Sequence, residues 1–309
     1  MNFKTIDLHC DTVFGVTNRG NSLYNGDLHI NLENGLKLNG YAQFFAFFCS
    51  FAKENGPSFF EELYGKFQTA LQENEQYVTV CRTLADADAA MAAGKVAAFF
   101  SIEGAEGVGC DPGRLDDAWE KGIRLVGLTW NFENALSGSC QTGSGLTDQG
   151  REFVRKAQRL GMLVDTSHLS ERGFYDICDI TEGPVIATHS NSAAVFPHAR
   201  NLTDDQFRLI METGGVTGIN LFADFLGEAG TVNFETVYQH IDHFLQKGGA
   251  ANVCLGGDLD GCERLPEGFA HVDDYAKLSE YLLNRGLSEQ TVADIYYQNF
   301  AKVVKTWNI

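Results

Sequence analysis

Short apolar runs recur along the chain with stretches of different periodicity between them. The runs are T-I-D-L-H (5–9), Y-A-Q-F-F-A-F-F-C (41–49), V-A-A-F-F-S-I-E (96–103), I-R-L-V-G-L-T-W-N (123–131), M-L-V-D-T-S-H (162–168), P-V-I-A-T-H (184–189), G-V-T-G-I-N-L-F (215–222) and N-V-C-L-G-G-D (252–258). They read as β-strands. Between them, T-L-A-D-A-D-A-A-M-A-A-G ends at Gly94, a stretch opening at Thr147 closes at Gly161, and another runs from Thr203 to Gly214. Each carries a helix start or stop signal. Residues 234, 237, 238, 241, 244 and 245 form an apolar stripe of helical period. Eight strands alternating with helices predict an α/β fold, a (β/α)8 TIM barrel, ahead of an open doubly wound sheet. Residues 270–309 read as extra C-terminal helices packed on the outside, and the barrel domain is expected to span 1–309.

Composition leaves that picture intact. The chain has 309 residues, 44% of them hydrophobic, which suits one large α/β domain. Its net charge of −18 disfavours nucleic acid and anionic membranes, which bind through Lys and Arg. The eight cysteines are scattered singly, no signal peptide is evident, and no apolar stretch reaches the roughly 20 residues of a membrane helix. A soluble, cytoplasmic, reduced protein is expected.

In a barrel the chemistry gathers at the C-terminal ends of the strands, so what each run ends with is informative. The first ends in His9 and Asp11, the third in Glu103, the fifth in His168, the sixth in His189, and the eighth in Asp258 and Asp260. On a regular strand His9 and Asp11 project together, about 7 Å apart, with Leu8 and Cys10 opposite. Any one such residue is unremarkable. Together they supply the imidazole and carboxylate ligands of a two-metal site, suited above all to Zn²⁺. The fourth run ends in Trp130 and Asn131, the seventh in Asn220. Asp260 is expected to cap the Gly261 turn. His29, His198 and His271 lie outside the strand ends, and His240 and His243 read as surface positions of a helix.

Taken in order, D-L-H-C-D-T, S-I-E-G, L-T-W-N, V-D-T-S-H-L-S, A-T-H-S-N-S, R-N-L-T-D-D and G-G-D-L-D-G resemble the renal (membrane) dipeptidases, metallopeptidase family M19, within the amidohydrolase-type barrels. The resemblance implies a zinc-dependent dipeptidase. His9 and Asp11 would hold one Zn²⁺, His168 and His189 a second, with Glu103 and a hydroxide bridging them. Asp258 would act as general base and then acid, and Arg200 would grip the terminal carboxylate of the dipeptide. The plainer reading of Arg200 is a surface ion pair with Asp204 or Asp205.

Two positions depart from the better-known animal enzymes: Trp130 stands for a histidine and Phe222 for a tyrosine. Trp130, Asn131 and Phe222 are therefore expected at the substrate, where they would alter preference and leave the metal ligands intact. The competing enzyme reading keeps the two metals but attacks N-acyl amino acids, lactams or lactones. A third reading is a metal-binding barrel that has lost catalysis. No membrane anchor is expected, and a homodimer is the base-rate expectation for a soluble barrel enzyme.

Overall fold

The computed structural model describes residues 3–50 and 55–307. Its strands are β1 (Thr5–Cys10), β2 (Tyr41–Phe48), β3 (Val78–Val80), β4 (Val96–Glu103), β5 (Ile123–Gly127), β6 (Leu163–Asp165), β7 (Val185–Ala187), β8 (Val216–Ile219) and β9 (Val253–Leu255). All pair in parallel, in the order β2-β1-β9-β8-β7-β6-β5-β4-β3, and a further pairing of β2 with β4 closes the ring. Eight strands thus form a (β/α)8 barrel. The ninth, β3, flanks the first half of β4 at Val96–Ala98, and β5 takes over the second half from Phe100. V-T-V is too short and mixed to stand out as an apolar run, which is why sequence patterning passes over it.

The expected helices form with their signals in use. Thr83, Thr147 and Thr203 cap the helices Leu84–Ala92, Asp148–Leu160 and Asp204–Glu212 through their side chains. Gly161 ends the second of these at φ +91°, a conformation that glycine adopts without strain.

Two apolar layers result. One lies between strands and helices and includes Phe45, Phe47, Phe67 and Phe100. The other fills the barrel with Ile6, Leu8, Ala42, Phe44, Ala97, Phe99 and Leu125, and is continuous with Phe300, Val303 and Val304. Extra C-terminal helices are present as expected, but Asn299–Trp307 does more than decorate the flank. Phe300 meets Phe44 edge-on at 5.4 Å, so this helix stoppers the N-terminal mouth of the barrel. The polar groups gather at the opposite mouth. No helix among the described residues is long and apolar enough to cross a membrane.

Candidate active site

β1 supplies the first two groups, and a bulge sets their directions. Thr5, Ile6 and Asp7 pair in turn with Tyr41, Ala42 and Gln43, but Cys10 pairs with Phe45, so β1 carries one extra residue there. Asp7 points outward, where the Tyr275 hydroxyl donates to it. Leu8 joins Ile6 in the barrel interior. His9 also turns inward, its Nε2 3.6 Å from Glu103 Oε2. The regular alternation expected from sequence, with Leu8 facing away from His9, is therefore corrected. Asp11 sits at the N-cap of helix Thr12–Arg19, its Oδ2 3.8 Å from His9 Nε2.

Glu103 ends β4 at the centre of the group. Its Oε2 faces His9, while its Oε1 lies 2.8 Å from His168 Nε2 and 3.8 Å from His189 Nε2. The His189 ring stacks on His9 at 3.9 Å. Asn131 Oδ1 lies 3.0 Å from His168 Nδ1, and Thr188 Oγ lies 2.7 Å from His189 Nδ1. The Thr188 hydroxyl donates to Asp165 Oδ2 at 2.5 Å, so it accepts from His189. Both rings therefore carry their proton on Nδ1 and turn the Nε2 lone pair inward.

Those two Nε2 atoms face each other at 2.9 Å, a repulsive arrangement unless a cation lies between or beside them. His9 Nε2, Asp11 Oδ1 and Glu103 Oε2 are buried without hydrogen-bond partners. The inward side chains of His9, Asp11, Glu103, His168 and His189, three of them with an orphaned polar atom, make a set that a divalent metal fits. The closest groupings, with ligand atoms within 4.8 Å of one another, are His9–Glu103–His189 and His9–Asp11–Asp258. Asp258 thus stands within ligand reach of His9 and Asp11.

Burial and the crowding of like charges set the electrostatics of the group. Burial, and then Asp11, push the Glu103 carboxyl up to about 8. Burial, and then Arg200 for His168 and His9 for His189, hold those two imidazoles well below their usual range, in the neutral form that binds metal. Burial also opposes charge on His9, but Glu103 and Asp11 outweigh it and raise His9 well above normal.

Asp258 follows β9 at φ +57°, a left-handed conformation that Asp tolerates better than most residues. Its Oδ1 is 3.8 Å from His9 Nε2, and Asn220 Nδ2 donates to its Oδ2 at 2.9 Å. Burial lifts its carboxyl to about 6. Gly261 is required beside it, because a Cβ there would lie 2.1 Å from Asp11 Oδ2. Arg200 is 4% exposed and forms no surface pair. Its guanidinium donates to Ser167 O and lies 3.2 Å from His168 Nε2. Asp204 instead holds His243 and Lys247, and Asp205 holds Arg208.

A cavity of about 610 Å³ opens over Asp11 and Glu103, walled by Phe14, Phe48 and Trp130. Trp130 packs edge-on against Phe48 at 5.0 Å and stands 6.2 Å from the His168 ring. Phe222 lies against Phe225, whose ring is 5.5 Å from the Arg200 guanidinium. Asn131, expected at the substrate, has its amide oxygen on His168.

Two further expectations are corrected. Asp260 does not cap the Gly261 turn. It accepts from the Thr12 hydroxyl and the His29 amide, both at 2.6 Å, and ties the end of β9 to the β1 side of the mouth. His240 is not a surface residue. It is fully buried, linking Leu226 O at 2.9 Å to the Ser192 amide at 3.1 Å, while His243 is half-buried on Asp204. Sequence reasoning gave no role to Asp165, Thr188 or Asn220. Their signal was position alone, beside His168, beside His189 and at the end of β8.

A family model described as membrane dipeptidase (peptidase family M19) matches residues 1–308. An uncharacterized protein encoded beside a pqqA gene of Klebsiella pneumoniae is 32% identical over 238 residues, 73% of this chain and 88% of that protein. An uncharacterized dipeptidase of Schizosaccharomyces pombe is 32% identical over 217 residues, 68% of this chain but only 53% of that protein. Among solved structures, a family M19 dipeptidase superposes with a TM-score of 0.91 at 29% identity, covering 100% of both chains. A metallopeptidase from Rhodobacter sphaeroides, liganded with a phosphinate mimic of the dipeptide L-Ala-D-Ala, superposes at 0.89 with 27% identity and 99% of both chains covered. The chain belongs to the membrane dipeptidase family, peptidase family M19.

Proposed function

We propose that this chain is a zinc-dependent dipeptidase that hydrolyses the peptide bond of free dipeptides. The observation that carries the reading is the division of Glu103, Oε2 toward His9 and Oε1 toward His168, between two sets of inward ligands. His9 and Asp11 would hold one ion, His168 and His189 the other, with Glu103 shared. Bound there, the ions supply Lewis acidity to the scissile carbonyl and to water.

The chain's own groups do the rest. Asp258, held through Oδ2 by Asn220, accepts the proton of the attacking water at its free Oδ1 and returns it to the leaving amine. Arg200, buried and without a carboxylate partner among the described residues, pairs with the terminal carboxylate of the substrate, for which its planar fork is suited. Asn131 keeps His168 in its ligating tautomer, and Trp130 walls the space above it. Phe222 supports Arg200 through Phe225. The phosphinate mimic bound by the Rhodobacter sphaeroides relative supports L-Ala-D-Ala as the first substrate to try. Eight free cysteines support a reducing, cytoplasmic setting.

Hydrolysis of L-Ala-D-Ala, L-Ala-L-Ala and L-Ala-D-Glu, each beside its N-acetylated form, tests the reading. Free dipeptides should be cleaved in preference. Equal or faster cleavage of the N-acetylated forms would move the activity to N-acyl amino acids.

A further inference from the structure

Behind Arg200, away from the metal-site histidines, lies a second cavity of about 260 Å³. It is bounded by the turns after β6 (Thr166, Ser167) and β7 (Ser190, Arg200, Asn201) and by the start of helix Asp204–Glu212. A water molecule takes up about 30 Å³ in the liquid, so the space suits a small solute. Three of its lining side chains are more than nine-tenths buried and carry a polar atom with no hydrogen-bond partner among the described residues. These are Arg200 Nε, Ser190 Oγ and Asn201 Oδ1.

The three atoms are chemically distinct. Arg200 Nε only donates, Ser190 Oγ donates or accepts, and Asn201 Oδ1 only accepts. The Asn201 orientation is fixed, because its Nδ2 donates to Phe196 O at 2.8 Å and to Phe225 O at 2.7 Å. Glu171 adds a carboxylate at the exposed rim. A simple anion would satisfy the two donors but leave Asn201 Oδ1 unpaired. A cation would face Arg200. A ligand that bears a carboxylate and an ammonium satisfies the whole set.

We propose that this cavity binds a small free α-amino acid, its carboxylate on Arg200 Nε and Ser190 Oγ and its ammonium toward Asn201 Oδ1 and Glu171. Only the source of the ligand rests on the dipeptidase reading, since hydrolysis of a dipeptide releases such amino acids. Arg200 carries the message inward: its terminal nitrogens reach Ser167 O, in the cavity wall, and His168 Nε2, outside the cavity lining. Product held behind Arg200 therefore fixes the guanidinium that receives the next substrate, and changes KM more than kcat.

The test is calorimetric titration of the zinc-loaded enzyme with L-alanine, D-alanine, acetate and chloride. The active site is first saturated with a phosphinate mimic of L-Ala-D-Ala. Expected is saturable binding of alanine under that block, weakened about tenfold or more by Ser190→Ala, with kcat/KM for dipeptide in the absence of product unchanged. Ser190→Val, which fills the space, should abolish it. Acetate or chloride binding as tightly as alanine would overturn the assignment in favour of an anion site. Absence of binding, or binding unaffected by both variants, would overturn it in favour of water. Failure of the mimic itself to bind would count against the dipeptidase reading, and alanine binding would still be read from the Ser190 variants.

Discussion

Asn131 Oδ1 lies 3.0 Å from His168 Nδ1, and that contact decides which ring nitrogen faces the metal centre. An amide oxygen can only accept, so the proton stays on Nδ1 and the lone pair on Nε2. Replacing Asn131 by Leu should lower metal affinity about 10- to 100-fold with little change in thermal stability. Asn131→Asp keeps an acceptor and should restore most of it. Competition with a chromophoric chelator measures both.

Asp258 has two demands on it, a left-handed backbone at φ +57° and a carboxylate near His9. Asn meets the first and fails the second, because it tolerates that backbone and cannot carry the proton. Asp258→Asn should therefore fold, keep its metal and lose about 10²- to 10⁴-fold in kcat. Circular dichroism and metal analysis separate this from the misfolding that Asp258→Val would bring.

Stripped of metal, the centre should hold protons. Glu103 is raised to about 8 by burial and Asp11, and His9 is also raised, so at pH 7 both are largely protonated without metal. A divalent ion favours the deprotonated ligand, so loading should expel protons at pH 7 and fewer above pH 8. Zinc titrations in two buffers of different ionisation enthalpy should give different heats. Glu103→Gln should reduce the difference, and identical heats for the unmodified protein would contradict the expectation.

The site is braced from outside the barrel. Asp7, buried on the outer face of β1, accepts from the His9 amide at 3.0 Å, the Gly257 amide at 3.1 Å and the Tyr275 hydroxyl. Tyr275→Phe leaves that buried carboxylate one donor short and should cost about 1–3 kcal/mol of stability. Urea denaturation of the metal-free protein measures it. Because the His9 amide belongs to a proposed ligand and Gly257 directly precedes Asp258, metal affinity should fall as well.

Short apolar runs, buried on both faces, show where the barrel strands lie, and carboxylates and imidazoles at their ends show which mouth carries the chemistry. That is why His9, Asp11, Glu103, His168 and His189 stand out in the sequence alone. The bulge at Leu8–His9 does not, because an extra residue in one strand is visible only against its partner's register. His240 was misplaced because it is polar, although Val237, His240, Ile241 and Phe244 together form the buried stripe of its helix. Asp260 illustrates a different limit: its partners Thr12 and His29 lie at the other end of the chain. Hydrogen bonds between distant segments leave no local trace in sequence.

The most direct measurement returns zinc stepwise to chelator-stripped protein and follows L-Ala-D-Ala hydrolysis at each step. Activity should be absent at the start and reach its plateau near about two ions per chain, as a shared-carboxylate centre requires. Full activity in the stripped protein, or no hydrolysis with both ions bound, would contradict the account.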